Sequence, residues 1–370
     1  MKTLLNILLL SFFIGCVSEK SEFIEWKKQS DETLANNFKI DTASFYSHPL
    51  LIDTIYRSMQ GPYVSQKIQI SSQDDDLVYI VGYQSEVLDA VEDTLLPSKF
   101  MCHNNLNYLQ KQELPWKLKT SGANSRIFTL SEGQTDLSFP KGYGIPVKAN
   151  HPFEMVSQVL NHLEEDINLK AKHKVSLAYA KESKKDPIIP LYQQSVFVTQ
   201  QIEGPKGIHG LPLSCVDHIH KQENISNQEE VHDCSIIYEK GEYNPYQDQY
   251  GRKFSGHWKL PIGKQELRTD VTKMLDLNED SRIHMIGVHL HPFAEKLALW
   301  DITTDSLLYK STVIKDTANF SFEKISYFKD EKGIPVYKEH NYELRSTYNC
   351  SDSSAVHTAM AVMYLYLVDH

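Results

Sequence analysis

The chain has 370 residues and a formal net charge of −10, with 41% of its residues hydrophobic and 23% charged. That balance excludes a disordered chain, and the acidic excess argues against a nucleic-acid partner, which calls for a basic stripe. The length is generous for one domain and natural for two, and 20 tyrosines with few long Ala/Leu-rich runs lean the chain toward β-structure.

Met1 and Lys2 give a short positive start, Leu4 to Ile14 form an apolar run, and Gly15-Cys16 follow. The run is too short to span a bilayer as a permanent helix and reads as a secretory signal. Phe13-Ile14-Gly15-Cys16 resembles a bacterial lipobox, with Phe13 where Leu is usual; Cys16 would then be lipidated and become the first mature residue. The expectation is an exported protein, lipid-anchored to the membrane of a bacterial cell envelope, with an ordinary signal peptide cut nearby as the alternative. Residues 1–16 are thus a signal and 17–40 a polar tether. An exported chain meets oxidising conditions, which allows disulfides. Cys215 and Cys234 bracket a polar loop and are the preferred pair, and no bridge is assigned to Cys102 or Cys350.

From about Ile40 to Tyr179 short β-like runs alternate with turn chemistry: KIQISS, LVYIVGYQSEVL, FMCHNNLNYL, RIFTLS, FEMVSQVLNHL and HKVSLAYA. Lys181 to Pro190 is charged, carries two prolines and suits a linker. A second set follows, including QELRTDVTKML, RIHMIGVHLH, EKLALWDI, YELRSTYNC and AMAVMYLYLV. Many short strands of this kind predict an all-β fold of two tandem jelly-roll-like antiparallel β-sandwich domains, 41–186 and 187–370.

Chemistry concentrates in Arg282 to Leu299, RIHMIGVHLHPFAEKLAL. In a strand, residues two apart share a face, so His289 and His291 present two imidazoles side by side while His284 points away. Alone, such a pair more often marks two hydrogen-bonded histidines than a metal. Company comes from Met360, which opens a strand-like run after a Ser/Thr-rich loop, and from His103 and His162 in the first half. Two imidazoles and a thioether are a donor set for copper, since the soft sulfur favours Cu(I).

The second half resembles the C-terminal domain of the copper type II, ascorbate-dependent monooxygenases, the group of peptidylglycine α-hydroxylating monooxygenase and dopamine β-monooxygenase. The likeness rests on the H-x-H strand, the segment Ser346-Thr347-Tyr348-Asn349, and Met360 opening MAVMYLYL. It implies that His289, His291 and Met360 hold the copper that binds dioxygen. It implies a second, electron-storing copper in the first half, where SQVLNH resembles the segment of its third ligand and points to His162. FMCHNNL matches the family's adjacent histidine pair only at His103, so Cys102 or Asn104 would have to complete that site. The resemblance further implies C–H hydroxylation of a peptide or small molecule, with dioxygen and with ascorbate or another reductant as electron donor. A non-catalytic copper-binding lipoprotein on the same scaffold is the alternative.

Other features read as structure. His218 and His220 lie in the Cys-bracketed loop and read as solvated. His357 is a loop histidine three residues before Met360. His151 and Met155 read as packing, Gly142-Tyr143-Gly144 as a turn, and Glu164-Glu165-Asp166 as a solvated face. The sequons at Asn224 and Asn319 carry little weight if the source is bacterial.

Overall fold

The computed structural model describes residues 39–56, 58–109, 114, 116, 125–162, 165–181, 186–202, 210–211, 243–316 and 321–369. Cys16, the Cys215–Cys234 pair, His218, His220, Asn224, Glu164 and Asn319 lie outside them. Strands dominate. The first half holds β1 (Ile40–Tyr46), β2 (Leu50–Ile52), β3 (Tyr63–Ile68), β4 (Leu77–Asp89) and β5 (Met101–Tyr108). It continues through β6 (Arg126–Ser131), β7 (Asp136–Ser138), β8 (Tyr143–Lys148), β9 (Phe153–Val159) and β10 (Leu169–Ala180).

The second half opens with β11 (Ile189–Phe197), β12 (Gln200–Gln201), β13 (Phe254–Ser255), β14 (Trp258–Leu260) and β15 (Gly263–Asp270). Next come β16 (Ser281–Leu290), β17 (Ala294–Asp301), β18 (Ser306–Lys310), β19 (Val313–Asp316) and β20 (Ser321–Ile325). It ends with β21 (Phe328–Val336), β22 (Tyr342–Cys350), β23 (His357–Ala359) and β24 (Ala361–Val368). One expected β run, QELRTDVTKML, divides: β15 stops at Asp270 and a short helix α1 (Thr272–Leu275) follows. The Asp270 carboxylate accepts the Thr272 amide at 2.9 Å, which ends the strand and starts the turn.

These strands form antiparallel jelly-roll-like sandwiches, as the alternation predicts. In the first half β3-β9-β5-β6 is one layer; in the second, β15-β22-β17-β18 is one layer. The facing layers are not separate. They belong to a single sheet in the order β1-β10-β4-β8-β11-β24-β16-β21, with β2 and β7 attached at its side. The expected boundary at 186/187 falls between β10 and β11, and hydrogen bonding crosses it through a short parallel rung, Ile189 with Tyr143 and Pro190 with Gly144. Residues 39–370 accordingly cluster as one compact unit.

The centre of that sheet explains the apolar runs. β16 and β24 are buried along almost their whole lengths, because both of their faces are covered. One face receives first-half residues: Phe128 and Phe139 pack on the Tyr366 ring at 5.7 and 5.0 Å, and the Tyr366 hydroxyl donates to the Ile127 carbonyl at 3.0 Å. On the same side the Val288 amide donates to Gln134 Oε1 at 2.8 Å. β16 carries a β-bulge at His284 before it settles into register with β24, His289 opposite Val362. Cys102 and Cys350 are both buried and unbridged. Among the described residues no helix is long and apolar enough to cross a membrane.

Candidate metal centre

The last turn of β16 brings the two expected imidazoles together. His289 and His291 are 6% and 2% exposed. Their ring centroids lie 5.3 Å apart, with the planes at 88°. His291 sits just beyond the strand and is held by three contacts. Its amide faces the Met360 carbonyl at 3.4 Å and the Tyr348 hydroxyl at 3.3 Å, and its Nδ1 lies 3.3 Å from the Thr358 carbonyl. The Tyr348 hydroxyl also donates to the Met360 carbonyl, so Met360 is linked to His291 by one direct backbone bond and by a second path through Tyr348. Its own side chain is half-buried and packs on the core.

A carbonyl acceptor at Nδ1 fixes that nitrogen of His291 as the N–H, which leaves the lone pair on Nε2. Nε2 of His291 and Nδ1 of His289 are both buried without a hydrogen-bond partner among the described residues. Burial pushes the His289 pKa down to about 4, helped by the charges of Arg126 and His257. It drives His291 well below its ordinary value, helped by His289 and His257. Both rings are therefore neutral near pH 7, the state in which imidazole can ligate. This donor set fits copper: two neutral, buried imidazoles with unused nitrogens, and a half-buried thioether on the residue whose carbonyl accepts from the His291 amide.

Electrostatic coupling links each first-half histidine to this pair. His103, on β5, is lowered first by burial and then by the charge of His289. His162 contributes to the lowering of His291. The neighbours of His103 on β5 have other surroundings. Asn104 is fully buried; it accepts from the Tyr83 hydroxyl and donates to Ser157 at 2.8 Å. The buried Cys102 thiol is pushed up to about 12 by desolvation and leans on the Met59 backbone, so it is not a thiolate. Asn104 does not fit as the missing ligand, and Cys102 would ligate only by giving up its proton as the metal binds.

One residue escaped the sequence reading. His257, in the segment before β14, stands 5.5 Å from His291 between centroids, at 73°. A lone histidine in Ser-Gly-His-Trp carries no periodic signal, and only the fold brings it here. Other expectations land as structure. His284 stacks on Tyr143 at 4.2 Å and faces the Asp330 carbonyl. His357, on β23, bonds Asp352 at 2.6 Å, and His151 packs edge-on to Tyr108 and Phe153. Gly142 makes the turn into β8. Among the described residues, Asp74, Asp75 and Asp76 are the sole group of three His, Cys, Asp or Glu donors within 4.8 Å of one another. They form an exposed loop, ordinary without an ion.

No protein-family profile matches the chain, and no curated protein matches it. Among solved structures it is similar to PNGase F, a glycosylasparaginase from Flavobacterium meningosepticum, at 8% identity and a TM-score of 0.35, over 89% of this chain and 96% of that one. It is also similar to the STIV MCP, at 8% identity and a TM-score of 0.34, over 89% of this chain and 97% of the other. Likeness at this level speaks to neither chemistry nor partners.

Proposed function

We propose that the protein is an exported, lipid-anchored copper monooxygenase that hydroxylates a C–H bond of a peptide or small molecule. Dioxygen and an external reductant such as ascorbate are its co-substrates, and His289, His291 and Met360 are its copper ligands. The observation that carries the reading is the pair of buried imidazoles whose Nδ1 and Nε2 have no partner. Each unpartnered buried polar atom costs about 1–3 kcal/mol, a cost that a bound ion removes.

Copper, when bound, supplies one-electron redox chemistry and a coordination position for dioxygen. The chain's own residues do the preparation. The Thr358 carbonyl orients His291 and fixes its tautomer. Burial and the Arg126 charge keep His289 neutral, so no proton has to leave it first at neutral pH. Met360, tied to His291 through the backbone, brings the thioether that favours the reduced ion. Burial of β16 and β24 keeps bulk water from the rings.

The commitment of Asn104 and the protonated state of Cys102 favour a second reading, a non-catalytic copper-binding lipoprotein, because His103 and His162 alone would store an electron poorly. Copper analysis of the reconstituted protein, paired with reductant-dependent oxygen uptake, separates the two. The monooxygenase reading expects bound copper and oxygen uptake that Met360→Ala abolishes. Bound copper without uptake selects the second reading, and a wild-type protein that binds no copper ends both.

A further inference from the structure

Three features together bring His257 into this centre. Its Nε2 is buried and has no hydrogen-bond partner among the described residues. Its ring stands edge-on to His291, which in turn stands edge-on to His289. And the β14–β23 ladder ends on the pair Trp258 and Ala359, the immediate chain neighbours of His257 and Met360. Its backbone is anchored, since its amide faces the Ser255 hydroxyl at 3.1 Å and its carbonyl accepts from Leu211 at 2.7 Å.

We propose that His257 is a further ligand of this centre, so that the site closes on a divalent ion with three imidazoles, His257, His289 and His291. This rests on the reading of His289 and His291 as ligands and goes beyond it, since that reading needs only two imidazoles and a thioether. The spacing suits the proposal. Two imidazoles bound to one tetrahedral ion at about 2.0 Å have centroids roughly 5 Å apart, and the two measured separations are 5.3 and 5.5 Å. The three rings do not yet place one nitrogen each all within 4.8 Å of one another. Closure therefore turns the rings about their side-chain bonds, on a backbone that stays anchored.

The consequence is a division of labour by oxidation state. Three imidazoles suit Cu(II) or Zn(II), whereas the thioether of Met360 suits Cu(I). His257 and Met360 are the chain neighbours of the last β14–β23 pair, so an ion held by both strand imidazoles would be able to exchange its third donor between them. Reduction then weakens the claim of His257 and strengthens that of Met360; no bond other than the metal–ligand bond is made or broken.

The test is a set of equilibrium titrations of the apo full chain with Cu(II), with Zn(II), and with Cu(I) against a chromophoric Cu(I) chelator, for wild type, His257→Ala, His257→Gln and Met360→Leu. The expected result is a loss of at least about ten-fold in Cu(II) and Zn(II) affinity in both His257 variants, with Cu(I) affinity changed less than about three-fold. Met360→Leu should show the opposite pattern. The Cu(II) electron paramagnetic resonance spectrum of the wild type should show one more nitrogen donor than that of His257→Ala. Circular dichroism establishes that each variant is folded, and the glutamine variant stands in if alanine is not. Unchanged Cu(II) affinity and nitrogen count in a folded His257 variant overturns the proposal alone. Wild-type binding that survives His289→Ala, or no binding at all, overturns the underlying ligand assignment and this proposal with it.

Discussion

Buried imidazoles in this chain differ in whether a second imidazole stands beside them. His173, on β10, is fully buried and belongs to a polar network: its Nδ1 lies 3.0 Å from the Ser85 hydroxyl and 3.4 Å from the Asn104 amide. Desolvation lowers its pKa to about 4. An unfolded chain takes up a proton there near the ordinary value of 6.5, so the contribution of this ring is complete above that pH. It is lost as pH falls toward 4, at about 1.4 kcal/mol per pH unit for one proton. Urea unfolding of the apo protein across this window should show stability falling with acid, and His173→Gln should flatten that slope by about one proton. Asn104→Ala should cost about 1–3 kcal/mol at any pH, because the Tyr83 hydroxyl and Ser157 lose their shared partner. His173 also keeps a buried Nε2 without a partner among the described residues, so what recommends His289 and His291 as ligands is that two such rings stand 5.3 Å apart.

At the scale of elements, the rung between β8 and β11 is the narrowest join in the large sheet and the easiest to probe. Gly144 lies on it, and a Cβ there would meet the Tyr79 Cβ at 2.9 Å and the Ile80 carbonyl oxygen at 3.1 Å. Gly142→Ala meets nothing within 4 Å but must hold a φ of +80°. Denaturant unfolding should place Gly144→Ala about 1–3 kcal/mol below wild type through overpacking. Gly142→Ala should lose about 1–2 kcal/mol through backbone strain alone. Much at this scale was legible in the sequence. Alternation marked β16 and β24, and the H-x-H spacing placed His289 and His291 on one face. The rung was not legible, since parallel pairing of two short segments leaves no periodic trace. Neither was His257, whose neighbours in space come from β16 and whose neighbours in sequence give no hint of them.

For the whole molecule, the continuous sheet and the cross-half bonds make cooperative unfolding the expectation. Tyr366 reaches Ile127, Gln134 reaches Val288, and Lys329 reaches Ser138 at 2.8 Å, all across the midpoint of the chain. Fluorescence and far-ultraviolet circular dichroism should report coincident transitions. Tyr366→Phe should lower stability by about 1–3 kcal/mol without separating them. A fragment of 187–370 alone would expose β11 as an edge and the Tyr364–Tyr366 face of β24 to water. It should lack the near-ultraviolet signal of a packed core; a native-like fragment would show that the halves fold independently. The jelly-roll character of each half could be read from strand rhythm, but their fusion depends on pairings between distant segments, which composition and spacing do not encode.

The bulge at His284 carries a consequence for how this strand can change over time. Side chains along β16 alternate between two faces, so the extra residue acts as a counter that decides which face the last four positions present. Losing one residue between Met285 and Leu290, or removing the bulge, is a change of parity rather than of length. It would turn His289 toward the second-half core and bring Val288 or Leu290 to the site, with composition almost untouched. Insertions and deletions should therefore be tolerated in the turns on either side of this strand and be ruinous inside it. For this protein the number of residues in β16 is as much a part of the centre as the identity of its histidines.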